Sequence, residues 1–515
     1  MITIDGNHLT VGEVVNVAKN FSNVQLSEVG EKQVKDSHQN LIKLHDSNKP
    51  VYGINTGFGI FAENRIDKSE SAQLSRNLIL SHAVGFGDPL PEEIVRAATL
   101  IRANTLAKGF SGVRPEVIST LLALLNKHVY PVIPSQGSLG SSGDLIPLSH
   151  LALVFTTDDN DRDEDSGYAW LDGELLTGKA AMERAGVKRI ILGPKEGLAL
   201  NNGATFSAAT ATLCVQYAHK LMRLSDLAIA LSLEALVGRS NAFDSRLHLA
   251  RGHEGQIAVA EQIRQLTSGS TLVDSDNHIQ DAYSLRCAPQ VTGIAWQTLK
   301  FVHAVIEKEI NAATDNPLIF SSDEAISGGN FHGEPVGIVM DFLSIAMAEI
   351  GAISERRIFR LIDGKLNFGL PPMLVDSHEA AGLNSGLMMP QYTAASLVME
   401  NQTLCHPDSI HSLPTSGEQE DHNANSMTAA RHTYAILNNL SHILSIEIYT
   451  AIRALDLRLR SASALQTGSI TGKVHRYLRE RIPYQAGDAW WEPEIDRLRT
   501  IIGGDEFETF MDSLV

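Results

Sequence analysis

From about residue 204 onward the chain reads almost without interruption as helix, and this constrains its fold more than any other feature. The stretches 204–236, 294–312, 335–361, 391–405 and 425–464 carry few internal breakers. Helices of such length must bury one face against each other, so a long-helix bundle is predicted. The N-terminal part is different. Short strands are expected at Ile2–Ile4 and Val24–Leu26, with helices over 11–21 and 30–43. Three glycines (Gly53, Gly57, Gly59) then break the pattern and predict a loop over 51–59. Helical periodicity resumes over 70–84 and 92–108. A second glycine-rich break follows Pro131 and Pro134, at 137–143. The acidic run 157–165 reads as a solvated loop, because it lacks the glycine and terminal glutamate of a calcium loop. No internal repeat or low-complexity linker divides the chain. The expectation is a mainly α fold, one compact unit, with a mixed N-terminal region (1–203) and a long-helix bundle (204–515).

Charge and cysteine content exclude several function classes. The 42 basic residues against 60 acidic ones leave a formal charge of −18, which repels phosphate backbones, so nucleic acid is not an expected partner. Three cysteines (Cys214, Cys287, Cys405) give no disulfide framework and fit a reducing cytoplasm. The N-terminus has no basic stretch followed by an apolar run, and the apolar stretches are short or interrupted by charge, as at Asp341 and Glu349. Neither a signal peptide nor a membrane partner is expected. The 19 histidines fall in no His-Glu-x-x-His pattern or Cys/His cage, so no metal is expected. Gly173-Glu174-Leu175-Leu176-Thr177-Gly178-Lys179-Ala180 follows phosphate-loop spacing only until Ala180, which cannot hold magnesium; it reads as a turn opening a helix.

The segment Gly137-Ser138-Leu139-Gly140-Ser141-Ser142-Gly143-Asp144 admits a chemical reading beside the plain one of a turn. If the Gly143 nitrogen attacks the Ser141 carbonyl carbon, a five-membered ring closes. Only glycine leaves its nitrogen unhindered enough for that approach. Loss of water from the ring and from the Ser142 side chain would leave a methylidene-imidazolone, an electrophile that the twenty side chains do not supply. On spacing alone the turn reading ranks first.

Several ordered blocks change that ranking. Tyr52-Gly53-Ile54-Asn55-Thr56-Gly57-Phe58-Gly59, the 137–150 segment, Glu196-Gly197-Leu198-Ala199-Leu200-Asn201-Asn202-Gly203, Gln280-Asp281-Ala282-Tyr283-Ser284-Leu285-Arg286-Cys287, Asp315-Asn316-Pro317-Leu318 and Gly328-Gly329-Asn330-Phe331-His332 run nearly end to end. In this order they resemble the histidine/phenylalanine ammonia-lyase family, nearest its histidine branch. The resemblance implies a histidine ammonia-lyase-like fold and a self-made methylidene-imidazolone from Ser141, Ser142 and Gly143, with no diffusible cofactor. It implies Tyr52 as the base that removes a β-proton, a task for which a phenol needs a lowered pKa. Arg286 would clamp the substrate carboxylate with its planar fork. Asn202, Gln280 and Tyr283 would hydrogen-bond the carboxylate, the amine or the imidazolone oxygen, and Phe331 would pack near the ring system. A homotetramer is also implied, with sites completed by loops from more than one subunit.

Two positions point to the substrate, an aromatic L-amino acid. Ser81-His82 resembles the histidine branch, although some tyrosine lyases share the histidine. Glu420 stands where the phenylalanine and tyrosine branches tend to have Gln. A carboxylate can accept from an imidazole N–H, whereas a phenyl ring would gain nothing from it. His82 and Glu420 together therefore favour L-histidine, converted without oxidation to urocanate and ammonia. The alternatives are a tyrosine ammonia-lyase, an aminomutase, a lyase of a histidine betaine, or an inactive helical scaffold. Three departures from the family pattern stand out: Ser141 where alanine is usual, Ala204 where threonine is usual, and a longer 423–427 segment.

Overall fold

The computed structural model describes residues 1–47, 50–57, 63–461 and 464–514. The fold is mainly α. The predicted long helices are present at Thr205–Ala235, Ala288–Glu309, Glu334–Ile362, Met388–Leu404 and Ser426–Ser461. The chain folds into two compact units, each assembled from three stretches of sequence. The first comprises 1–216, 302–341 and 407–431, and the second 217–301, 342–406 and 432–515.

The first unit holds the small sheets. Ile2–Ile4 pairs in parallel with Val24–Leu26, and Tyr130–Pro131, Tyr168–Leu171 and Glu174–Thr177 form an antiparallel three-stranded sheet. The helix between the first two strands, Val11–Asn20, starts where the sequence can cap it. The Thr10 hydroxyl accepts from the Glu13 N–H (3.2 Å), and the Glu13 carboxylate accepts from the Thr10 N–H (2.9 Å). Its Val11, Val14, Val17 and Ala18 are buried on one face. Residues 202–215, at the start of the Thr205–Ala235 helix, are buried on every side. Small residues make that possible, and their hydroxyls are satisfied within the helix: Thr210 donates to the Phe206 carbonyl (2.9 Å) and Thr212 to the Ala208 carbonyl (2.7 Å).

The second unit is built around a buried ion pair. Arg357 grips Glu447 through two parallel hydrogen bonds of 2.6 and 2.8 Å, both side chains being fully buried. Ser232 and Ser354 donate to the same carboxylate at 2.7 and 2.5 Å, so three long helices converge on one charge. Such a pair stabilises only while it is complete, because removing one partner leaves a buried charge. The Glu334–Ile362 helix is long and apolar enough to cross a membrane, but 67% of its most apolar 18-residue window is buried inside the protein, as in a core helix.

Candidate active site

Two glycine segments of the first unit cross at the candidate site. Gly143 and Gly203 face each other in a parallel bridge. The Gly203 N–H donates to the Ser142 carbonyl (3.1 Å), and the Asp144 N–H donates to the Gly203 carbonyl (2.9 Å). Gly143 has φ +78°, and a Cβ there would lie 2.1 Å from the Gly203 carbonyl carbon. No other residue fits so close an approach in that conformation.

Buried polar groups fix this crossing. Asp144 accepts from the Ser207 N–H, the Ser207 hydroxyl and the Ser138 hydroxyl, each at 2.8 Å. Burial raises its pKa, and these hydrogen bonds oppose the rise. Arg102, fully buried, donates to the Asn202 carbonyl (2.8 Å), the Thr205 hydroxyl (2.6 Å) and the Ala199 carbonyl (3.2 Å). Burial pulls its pKa down to about 10, opposed by the charges of Asp315 and Asp144, so it stays cationic at neutral pH. Lys195 and Asp315 form a fully buried ion pair. Next to it, Asn316 donates to the Ser327 hydroxyl (3.1 Å) and accepts from the Gly328 N–H (2.7 Å), which holds the start of the loop carrying Phe331.

A cavity of about 720 Å³ opens over the crossing, lined among others by Tyr52, Ser141, Ser142, Asn202, Phe331 and Glu420. Six residues selected from the sequence thus share one cavity. Tyr52 is half-buried, and Phe58 and Gly59 of its loop lie outside the described residues. The Asn202 side chain is 5% exposed, and its Oδ1 is buried without a hydrogen-bond partner. A buried amide oxygen left without a donor is costly, so this side chain stands to gain from a new hydrogen bond. The Ser141 hydroxyl donates to Glu420 Oε2 at 2.7 Å. His82 is not among the lining residues. It lies at the C-terminus of the Ser71–His82 helix, bonded through Nδ1 to the Ser81 hydroxyl at 3.0 Å. Burial lowers its pKa, while a backbone hydrogen bond and the nearby charge of Glu420 pull the other way.

Residues 9–480 match the aromatic amino acid lyase family. The chain belongs to this family. It is 48% identical over 484 residues to the histidine ammonia-lyase of Caldanaerobacter subterraneus subsp. tengcongensis, covering 93% of this chain and 92% of that one. Among solved structures it resembles the histidine ammonia-lyase of Trypanosoma cruzi, with a TM-score of 0.90 at 35% identity over 100% of this chain and 95% of the other. It also resembles the tyrosine aminomutase of Streptomyces globisporus, with a TM-score of 0.91 at 32% identity over 100% and 99%. Overall shape therefore does not separate the substrates within this family, and the separation rests on side chains.

Three selected residues of this aromatic amino acid lyase lie elsewhere. Gln280, Tyr283 and Arg286 belong to the second unit, and none of them lines the cavity. Gln280 is exposed and Tyr283 is 69% exposed. The Arg286 guanidinium lies 4.6 Å over the Tyr283 ring, and its Nε is buried without a hydrogen-bond partner. The structure also adds cavity residues to which the sequence reading gave no role. The rings of His332 and His422 stack at 5.7 Å, and Thr56, Glu63 and Asn316 line the same wall. Most of these sit inside or beside the family blocks, so their signal was present as position. Glu63 carried none.

Proposed function

We propose that this lyase eliminates ammonia from L-histidine without oxidation and releases urocanate. The observation that carries the proposal is Glu420, a carboxylate lining the same cavity as Ser142 and Asn202. It offers an acceptor to an imidazole N–H, and a phenyl ring would leave that charge unpaired. The similarity to histidine ammonia-lyases supports the same reading.

The cavity wall fits a methylidene-imidazolone formed from Ser141, Ser142 and Gly143. Gly143 has the unhindered nitrogen that ring closure requires, the Gly143–Gly203 crossing holds the segment tightly bent, and Asn202 lines the same cavity. Bound in the chain, that group supplies an electrophile for the substrate's α-amino group. The remaining work falls to ordinary side chains. Tyr52, as phenolate, takes the β-proton onto its oxygen, and the electrons of that C–H bond form the new C=C bond as the C–N bond breaks. Glu420 orients the imidazole, with His82 close by, its pKa lowered by burial. Phe331 packs against the ring system.

Arg286, Tyr283 and Gln280 complete the site from another copy of the chain, in a homotetramer with two-fold axes. Support comes from an apolar groove of about 480 Å³ on the second unit, where Ile294, Phe301, Phe342 and Ile345 are 45–58% exposed. Exposure of large side chains on that scale marks a surface made to be covered. The similarity to a tyrosine aminomutase makes tyrosine chemistry the second reading. A panel of histidine, tyrosine and phenylalanine, read by ultraviolet absorbance of the conjugated acid and by ammonia release, tests both. Urocanate as the main product is the expected result; a preference for tyrosine sinks the histidine assignment.

A further inference from the structure

Ser141 stands where this family usually has alanine, and its hydroxyl is not idle. It donates to Glu420 Oε2 at 2.7 Å, and Ser141 itself is only 7% exposed. Backbone bonds just before Ser141 tie its segment to the one that follows Glu420 and to a third at Gly333. The Leu139 carbonyl accepts from the Ala424 and Asn425 N–H groups (3.2 and 2.8 Å), and the Gly140 carbonyl accepts from the Gly333 N–H (2.9 Å). Glu420 sits at the end of a tight turn closed by reciprocal bonds between Thr415 and Glu420, of 2.8 and 3.3 Å. That turn fixes the Glu420 backbone. Its flexible side chain still needs a partner to hold one rotamer, and the Ser141 hydroxyl provides it.

We propose that Ser141 is a positioning residue for Glu420: its hydroxyl pins Oε2 and so aims Oε1 at the imidazole ring of the substrate. This rests on the histidine reading given above. Ring closure does not consume the hydroxyl. The bond that forms joins the Gly143 nitrogen to the Ser141 carbonyl carbon, one water leaves from that carbonyl oxygen, and the second takes the Ser142 hydroxyl. The Ser141 Cβ and Oγ remain outside the ring. An alanine would leave the electrophile's skeleton intact and remove only the donor to Glu420, so the residue can tune ring recognition without entering the elimination step.

The test is a double-mutant cycle of Ser141→Ala and Glu420→Ala, with Ser141→Thr as the conservative control. Four quantities are measured in each: kcat and KM for histidine, the Kd of urocanate by calorimetry, and the near-ultraviolet absorbance of the electrophile. Ser141→Ala should keep the absorbance, lower kcat/KM by about tenfold and weaken urocanate by a similar factor, as expected for loss of one hydrogen bond to a charged group. Ser141→Thr should recover most of both. In the Glu420→Ala background Ser141→Ala should change neither by more than about twofold, because the acceptor is already gone. Additive effects in that background, wild-type behaviour of Ser141→Ala, or loss of its absorbance would each overturn the proposal. A wild-type enzyme that makes no urocanate would instead bring down the histidine reading on which it stands.

Discussion

The two units treat their candidate residues in opposite ways. In the first, Tyr52, Ser141, Ser142, Asn202, Phe331 and Glu420 converge on one cavity, and buried hydrogen bonds to Asp144 and from Arg102 hold the backbone beneath them. In the second, Gln280 and Tyr283 face solvent, and Arg286 leans on the Tyr283 ring. The first arrangement is preorganised within one chain. The second three line no part of that cavity. Groups that stay exposed in one chain and would act at a site elsewhere are what assembly from several copies requires.

The largest effect should come from the preorganised side. Ser142→Ala removes the source of the methylidene group, so ammonia release should fall by at least three orders of magnitude, roughly 4 kcal/mol. Folding should be unaffected, since Ser142 is only partly buried. Intact-mass analysis of the wild type should show two waters missing. Active protein of unmodified mass would exclude the electrophile. Glu420→Gln comes next. It should cost on the order of ten- to a hundredfold in kcat/KM for histidine, as for one charge-assisted hydrogen bond of about 1.5–3 kcal/mol, while activity on phenylalanine or tyrosine stays or rises. Equal losses on all three substrates would move Glu420 into the shared chemistry.

The second unit supplies a smaller effect and a sharper comparison. Arg286→Lys should raise KM and lower kcat, together about tenfold, because a point charge cannot replace a planar fork. Mixing two inactive variants asks whether the units cooperate between copies. Ser142→Ala and Arg286→Ala chains, co-expressed, should regain up to about a quarter of wild-type activity if each site draws these residues from different chains. No recovery in verified mixed tetramers would mean that both residues serve a site within one chain, and the contrast between the units would lose its meaning.

Much of this was legible in the sequence, for identifiable reasons. The long helices showed through breaker-free periodicity, and their observed ends fall within a few residues of the expected ones; the largest shift, at Ala288, reflects Pro289 being tolerated in a first helical turn. The Gly143–Gly203 crossing was not legible. Each glycine stood out alone, but nothing in a linear pattern says that residues sixty apart form one bridge. The Ser141–Glu420 bond, spanning 279 positions, was invisible for the same reason. The interleaving of three stretches in each unit likewise leaves no trace in periodicity, which reports the face a helix buries and not its partner.

Two buried aspartates carry the comparison to stability. Asp144, in the first unit, has both oxygens satisfied by three hydrogen bonds. Among the described residues Asp226, in the second, accepts only from the Trp296 indole N–H at 3.2 Å, and its Oδ1 is buried with no partner. Burial pushes the Asp226 pKa up to about 7, against the Trp296 hydrogen bond and the Arg357 charge. The folded state therefore binds more protons than the unfolded one between the ordinary aspartate value of 3.8 and about 7. Stability from this group is fully present below that window and is lost as pH rises through it. Asparagine cannot ionise, so the advantage of Asp226→Asn over the wild type should widen by roughly 2–3 kcal/mol between pH 5 and pH 8. That corresponds to a rise of a few degrees in Tm for a chain of this size. Asp144→Asn should be destabilising at both pH values, because the new amide N–H groups would confront donors that now meet a carboxylate. Thermal midpoints at pH 5 and pH 8 for the wild type and both variants decide the matter. If the gap between Asp226→Asn and wild type is the same at both pH values, Asp226 does not titrate in this window, and the difference between the two aspartates is one of packing rather than charge.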